Sequence, residues 1–122
     1  MAENFPEDKY EYRPTKEVRT FGDVLRHVGF WNEYVEKTAR GEKFDTKPNE
    51  LPKAEYHTKA QLVAALKKTT EAASAQLKSG AEPNPKLVDL WTSFIGHSSE
   101  HYGQLVVYYR LNGIVPPASR TQ

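Results

Sequence analysis

Between Asn84 and Gly113 the chain carries one apolar pattern with the period of an α-helix, and two histidines lie inside it. Asn84 is a good N-cap residue, with Pro85 at the first helical position. Leu111-Asn112-Gly113, with Pro116 and Pro117 beyond, reads as the stop. Leu90, Phe94, His97, His101, Leu105 and Tyr108 recur at steps of three and four, so they share one face. A face of this composition packs against the rest of the chain. His97 and His101 are one turn apart on it, so their rings can meet at one point. Two readings stay open for such a pair. A histidine on an apolar stripe is often a hydrogen-bonded core residue. A pair at i and i+4 is also what a metal ion takes from one helix. Gly96 and Gly103 interrupt the run at about 1 kcal/mol each. They either admit a close neighbour, helix or ligand, or are tolerated defects.

Two more amphipathic helices are expected. The first runs from about Phe21 to Ala39, with Thr20 as N-cap, Asp23 in a capping-box role and Gly41 as the stop. Its stripe is Phe21, Val24, Leu25, Val28, Trp31, Val35 and Thr38, and His27 lies on the edge of that stripe. The second starts at the capping box Thr58-Lys59-Ala60-Gln61 and runs to about Lys78, where Ser79-Gly80 stops it. Leu62, Leu66, Thr69, Ala73 and Leu77 form its stripe. Between the two lies Glu42 to His57, charged and broken by Pro48 and Pro52. It is long for a bundle connection, so it is expected to cross the end of the bundle or to cover something. His57, just before a helix start, is assigned no metal role. Met1 to Arg19 reads as a surface connector with a short helical turn after Pro6 and its tyrosines packed inward. Three long amphipathic helices and no strand predict an all-α bundle, with residues 1–122 as one domain.

A bundle of this size accommodates a site, and composition narrows its chemistry. Lys plus Arg number 17 and Asp plus Glu 16, so the basic footprint of a nucleic-acid binder is missing. The absence of cysteine excludes disulfides, thiolate ligands and a cysteine nucleophile. No apolar run reaches the length of a membrane span. No signal peptide is visible at Met1. A metal site built on His97 and His101 needs a third ligand, and His27 is the remaining histidine on a helix stripe. Three histidines with open positions for water or substrate match the catalytic pattern of zinc. Imidazole also suits nickel, copper and iron, so ligand type does not name the ion. Glu100 precedes the second histidine, where metalloproteases place a glutamate directly after the first, and it reads as a surface carboxylate. Tyr102, Gln104, Tyr108 and Arg110 read as packing or solvated positions, and Trp31 and Tyr34 as core.

The run His97-Ser98-Ser99-Glu100-His101-Tyr102-Gly103-Gln104-Leu105-Val106-Val107-Tyr108, followed by Arg110 to Pro117, resembles the last helix of the DinB-like (DNA-damage-inducible) four-helix bundle proteins. Pro6-Glu7-Asp8-Lys9-Tyr10 with Tyr12-Arg13-Pro14 resembles their connector after the first helix, and Phe21 to Val28 their second helix. The resemblance covers nearly the whole chain. It implies an up-down-down-up bundle, often a dimer, and a divalent metal on His27, His97 and His101. Zinc or nickel come first as the ion, iron or manganese next. Some relatives are transferases or isomerases that activate a small thiol on the metal, so a small thiol is the expected partner, in the cytoplasm, with no nucleic-acid or membrane contact. The family carries a long helix before the connector, and Met1 to Phe5 resembles the tail of that helix. The expectation is therefore an antiparallel helix bundle with three long helices and the first missing. Its open groove, lined by parts of the stripes Phe21–Val35 and Leu62–Leu77, would drive self-association or leave the chain marginally stable. Two functions follow: a metal-dependent enzyme of the thiol-transferase kind, or a non-catalytic metal-binding or dimerising stress-related bundle.

Overall fold

The computed structural model describes every residue except 81, 83 and 122. Three long helices, α1 (Phe21–Ala39), α2 (Lys59–Lys78) and α3 (Pro85–Leu111), make up the body. Short 3₁₀ turns lie at Ala2–Asn4, Glu7–Lys9 and Pro117–Ser119. Among the described residues there is no strand, and no helix is long and apolar enough to cross a membrane.

The helix ends fall where local chemistry places them. Thr20 and Asp23 satisfy each other's backbone N–H groups, as do Thr58 and Gln61, and both pairs are full capping boxes. Asn84 caps α3 by accepting from the Leu87 N–H at 3.0 Å. Gly41 and Gly113 sit just past α1 and α3 with φ of 82° and 68°, the left-handed conformation that suits glycine.

α1 and α2 are parallel. Val24 packs with Leu62, Asn32 donates to Thr69 and Thr70, and Val35 packs with Ala73 and Leu77. α3 runs the other way: Phe21 lies by Tyr108, and Val35 by Leu90. Parallel neighbours explain the long connection. A 19-residue helix spans about 28 Å, so the chain must return that far before α2 can start. Residues 42–57 make the return along α1. Phe44 packs on Phe30, the Leu51 N–H donates to the Arg26 carbonyl at 3.2 Å, and Tyr56 reaches the Arg26 guanidinium.

This strap buries a face of α1 that its apolar stripe does not announce. Arg26, Gly29 and Phe30 lie under it beside the expected stripe. Arg26 is 1 % exposed. Its charge is matched by Asp23 at 2.6 Å, and it donates to the Tyr56 carbonyl at 2.8 Å, as a buried cation requires. At Gly29 a Cβ would stand 2.7 Å from Leu51 Cδ1, so a side chain there would force the Leu51 side chain to shift. The N-terminal segment closes one end of the helices, where Phe5 is fully buried and stacks on Phe21 at 3.9 Å. Tyr10 is also buried, as expected of that segment.

α2 and α3 both rest on α1 and scarcely touch. The gap between them is a cleft of about 420 Å³, walled by Leu25, Val28, Val63, Leu66 and Leu105. It draws on the two stripes named from the sequence. Of the two readings left open for Gly96 and Gly103, a close neighbour and a tolerated defect, no close neighbour is found among the described residues. Both face outward, with no group within 4 Å of an added Cβ.

Candidate metal centre

The seam between α1 and α3 is apolar at both ends. Phe21, Val24, Leu105, Tyr108 and Tyr109 fill one end, and Val35, Leu90 and Phe94 the other. Between them lie His27 from α1 and His97 and His101 from α3. Their ring nitrogens converge. His97 Nε2 lies 3.0 Å from His27 Nε2 and 3.2 Å from His101 Nε2. His27 and His101 are buried and His97 is half-buried. One ligand atom from each falls within 4.8 Å of the other two. Three nitrogens bound to one ion at zinc distances lie roughly 3.0–3.4 Å apart for octahedral to tetrahedral angles, so the cluster has the spacing of a ligand set.

Two hydrogen-bond chains fix which nitrogens carry protons. His27 Nδ1 lies 2.7 Å from the Asn49 backbone carbonyl, which only accepts. The proton is therefore on Nδ1 and Nε2 is a free lone pair. For His101 the chain is longer. Tyr108 donates its hydroxyl to the Arg19 carbonyl at 2.6 Å, so its oxygen accepts from Gln104 Nε2 at 3.1 Å. That orients the Gln104 amide, whose Oε1 faces His101 Nδ1 at 2.9 Å. Oε1 accepts, so His101 carries a proton on Nδ1, and in its neutral form this leaves Nε2 free. This is the outer arrangement that metal-binding histidines use to present a lone pair.

The electrostatics agree. Burial, then the neighbouring rings of His101 and His27, lowers the His97 pKa to about 4. Burial also lowers that of His27, against the opposing effect of the Asn49 hydrogen bond. Both rings are neutral at pH 7, the form that binds a metal. The group contains no carboxylate.

His57 stands apart. It is exposed, and its Nδ1 is 3.3 Å from the Ala54 carbonyl. Glu100 is exposed. Trp31 is only half-buried, and its indole N–H donates to Asn49 Oδ1 at 2.9 Å. Gln104 and Tyr108, read from sequence as packing or solvated, instead orient His101. Their signal was available, because steps of three and four along one helix place them in line with it. Asn49 had no such signal: it lies in a non-periodic loop, 22 residues from His27.

A family model described as the DinB superfamily matches residues 1–105, a span that takes in all three histidines. No curated protein and no solved structure matches the chain. With the family model covering most of the sequence, and a body of three long helices that carries the histidine cluster between α1 and α3, the chain belongs to the DinB superfamily.

Proposed function

We propose that this protein is a metal-dependent enzyme in which His27, His97 and His101 hold a divalent ion, zinc or nickel first, and that a small thiol is its substrate. The observation that carries the reading is the convergence of three Nε2 atoms at 3.0 and 3.2 Å. When bound, such an ion lowers the pKa of a thiol or water beside it and supplies a nucleophile at neutral pH. Three neutral imidazoles leave the dication's charge uncompensated, and this favours an anionic ligand such as a thiolate. The chain supplies orientation through Asn49 on His27 and through Gln104 and Tyr108 on His101. It also supplies access. The cleft of about 420 Å³ reaches His101, and a second of about 270 Å³, lined by Trp31, Asn32 and Phe94, reaches His97. Elemental analysis of the purified wild type and of His101→Ala, followed by a panel of thiols and electrophiles, tests the reading. The wild type should hold about one ion per chain and turn over only when loaded. Equal metal content in the variant, or no metal-dependent turnover with any pair, would count against it.

A second reading, a bundle that works by dimerising, is favoured by one observation. Val88, Ile95 and Tyr102, at 53, 55 and 43 % exposure, recur every seven residues along the outside of α3. Sedimentation of the wild type and of Ile95→Lys tests it. A dimer that the lysine dissociates supports this reading, and a monomeric wild type ends it.

A further inference from the structure

Asn49 is the one non-glycine residue with positive φ among those described, at 61°. An L-residue enters this left-handed region at a cost, and asparagine does so at less than most. Such a conformation persists only where its surroundings over-determine it. They do here. The Asn49 side chain accepts from Trp31 Nε1 at 2.9 Å. Its neighbour Glu50 is bound to Arg19 at 2.7 Å, and the Leu51 N–H donates to the Arg26 carbonyl. The residue is therefore pinned through its own side chain and through the two residues after it. What the pinned conformation delivers is a backbone carbonyl 2.7 Å from His27 Nδ1.

We propose that Asn49 is a positioning residue of the metal site: its left-handed backbone aims its carbonyl at His27 Nδ1, holds the proton there, and so presents His27 Nε2 to the ion. The inference rests on the three-histidine reading above. It gives the long strap a purpose beyond joining parallel helices, since the carbonyls inside α1 are already paired along the helix and the partner of His27 comes from the strap. It also explains why an asparagine, and not a β-branched or bulky residue, occupies this point of the strap.

The test separates backbone shape from side-chain contact. Asn49→Val excludes the left-handed conformation and moves the carbonyl. Asn49→Gly keeps the conformation and loses only the bond to Trp31. Zinc affinity is measured by competition with a chelating dye. The tautomer of His27 is read in the metal-free protein from its imidazole ¹⁵N shifts. The wild type should show His27 protonated on Nδ1. Asn49→Val should weaken zinc binding about 10- to 100-fold, the usual effect of losing a partner behind a ligand, and should mix the His27 tautomers. Asn49→Gly should stay within about threefold of wild type, because its carbonyl is kept. Wild-type His27 protonated on Nε2 would overturn the inference, and so would Asn49→Val binding as wild type or Asn49→Gly losing as much as Asn49→Val. If Asn49→Val does not fold, the wild-type tautomer and the glycine variant still decide. A wild type that binds no zinc would overturn the three-histidine reading itself, whereas normal wild-type binding with an unaffected Asn49→Val would overturn this inference alone.

Discussion

Removing one histidine should abolish the stabilisation that the ion gives the fold. His27 is on α1 and His97 and His101 are on α3, so an ion held by all three ties two helices together. A ligand that binds only the folded state stabilises it by RT ln(1 + [L]/Kd), about 2.7 kcal/mol at a hundredfold excess over Kd. Unfolding entropy near 2.1 cal/mol/K per residue gives about 0.26 kcal/mol/K for 122 residues, so the melting temperature should rise by about 10 °C. Losing even an indirect partner of a ligand weakens binding up to about 100-fold, and losing a ligand should do at least that. At the same zinc concentration His101→Ala would then sit near its own Kd and gain only about 0.4 kcal/mol, under about 2 °C. The assay is a circular-dichroism melt after chelator stripping, with and without zinc. The zinc increment is the quantity compared, because deleting a ring that is 7 % exposed lowers the baseline as well. His57→Ala is the control and should keep the full increment. Equal increments in wild type and His101→Ala, or none in the wild type, would refute the reasoning.

The metal-free protein should lose stability as the pH falls from about 6.5 to 4. His97 and His27 have lowered folded-state pKa values, so the unfolded chain binds more protons in that window and is favoured there, while the full stability is present above it. The cluster is partly solvated, so the loss should be of order 1 kcal/mol. Urea melts at pH 7.5 and 5.0 measure it, and a flat or rising stability on acidification would contradict the assignment. Gln104→Leu removes the acceptor that holds the His101 proton and should weaken zinc binding about tenfold. Gln104→Glu restores an acceptor and should recover most of that loss in the same titration, and a leucine variant that binds as tightly as wild type would show the relay to be idle.

The helices were legible because their ends are written in local chemistry. Thr20 with Asp23, Thr58 with Gln61, Asn84 with Pro85, and Gly41 and Gly113 each act within four residues of the boundary they set. The histidine cluster was legible because His97 and His101 share one helix face and His27 was the remaining histidine on a stripe. The burial of Arg26, Gly29 and Phe30 was not. It depends on where the strap lies, and that depends on α1 and α2 being parallel, which no local pattern encodes. Asn49 is hidden for the same reason. Its partner is 22 residues away, and its contribution is a carbonyl, which every residue has. For the glycines at 96 and 103 the sequence left a close neighbour and a tolerated defect both open, since space outside a helix and space beside a neighbour look alike in sequence.

The way the three histidines are held bears on whether the site can be rigid in so small a protein. A ligand set must be kept within about half an ångström of its geometry by residues that are themselves locked. Loops do this poorly, yet His27 depends on one. Here the strap is fixed to α1 at several points, by Phe44 on Phe30, Leu51 on Arg26 and Tyr56 on Arg26, so Asn49 moves with the helix that carries His27. His101 depends on a relay that stays on α3 until it ends at the Arg19 carbonyl, next to the N-cap of α1. Each proton-holding chain thus ends on, or runs alongside, α1. Both apolar ends of the seam also press α3 onto α1. α2 contributes none of the three ligands and neither relay, although it borders both the Asn32 contact and the cleft. The cleft between α2 and α3 therefore borders the cluster without any of its three nitrogens depending on α2.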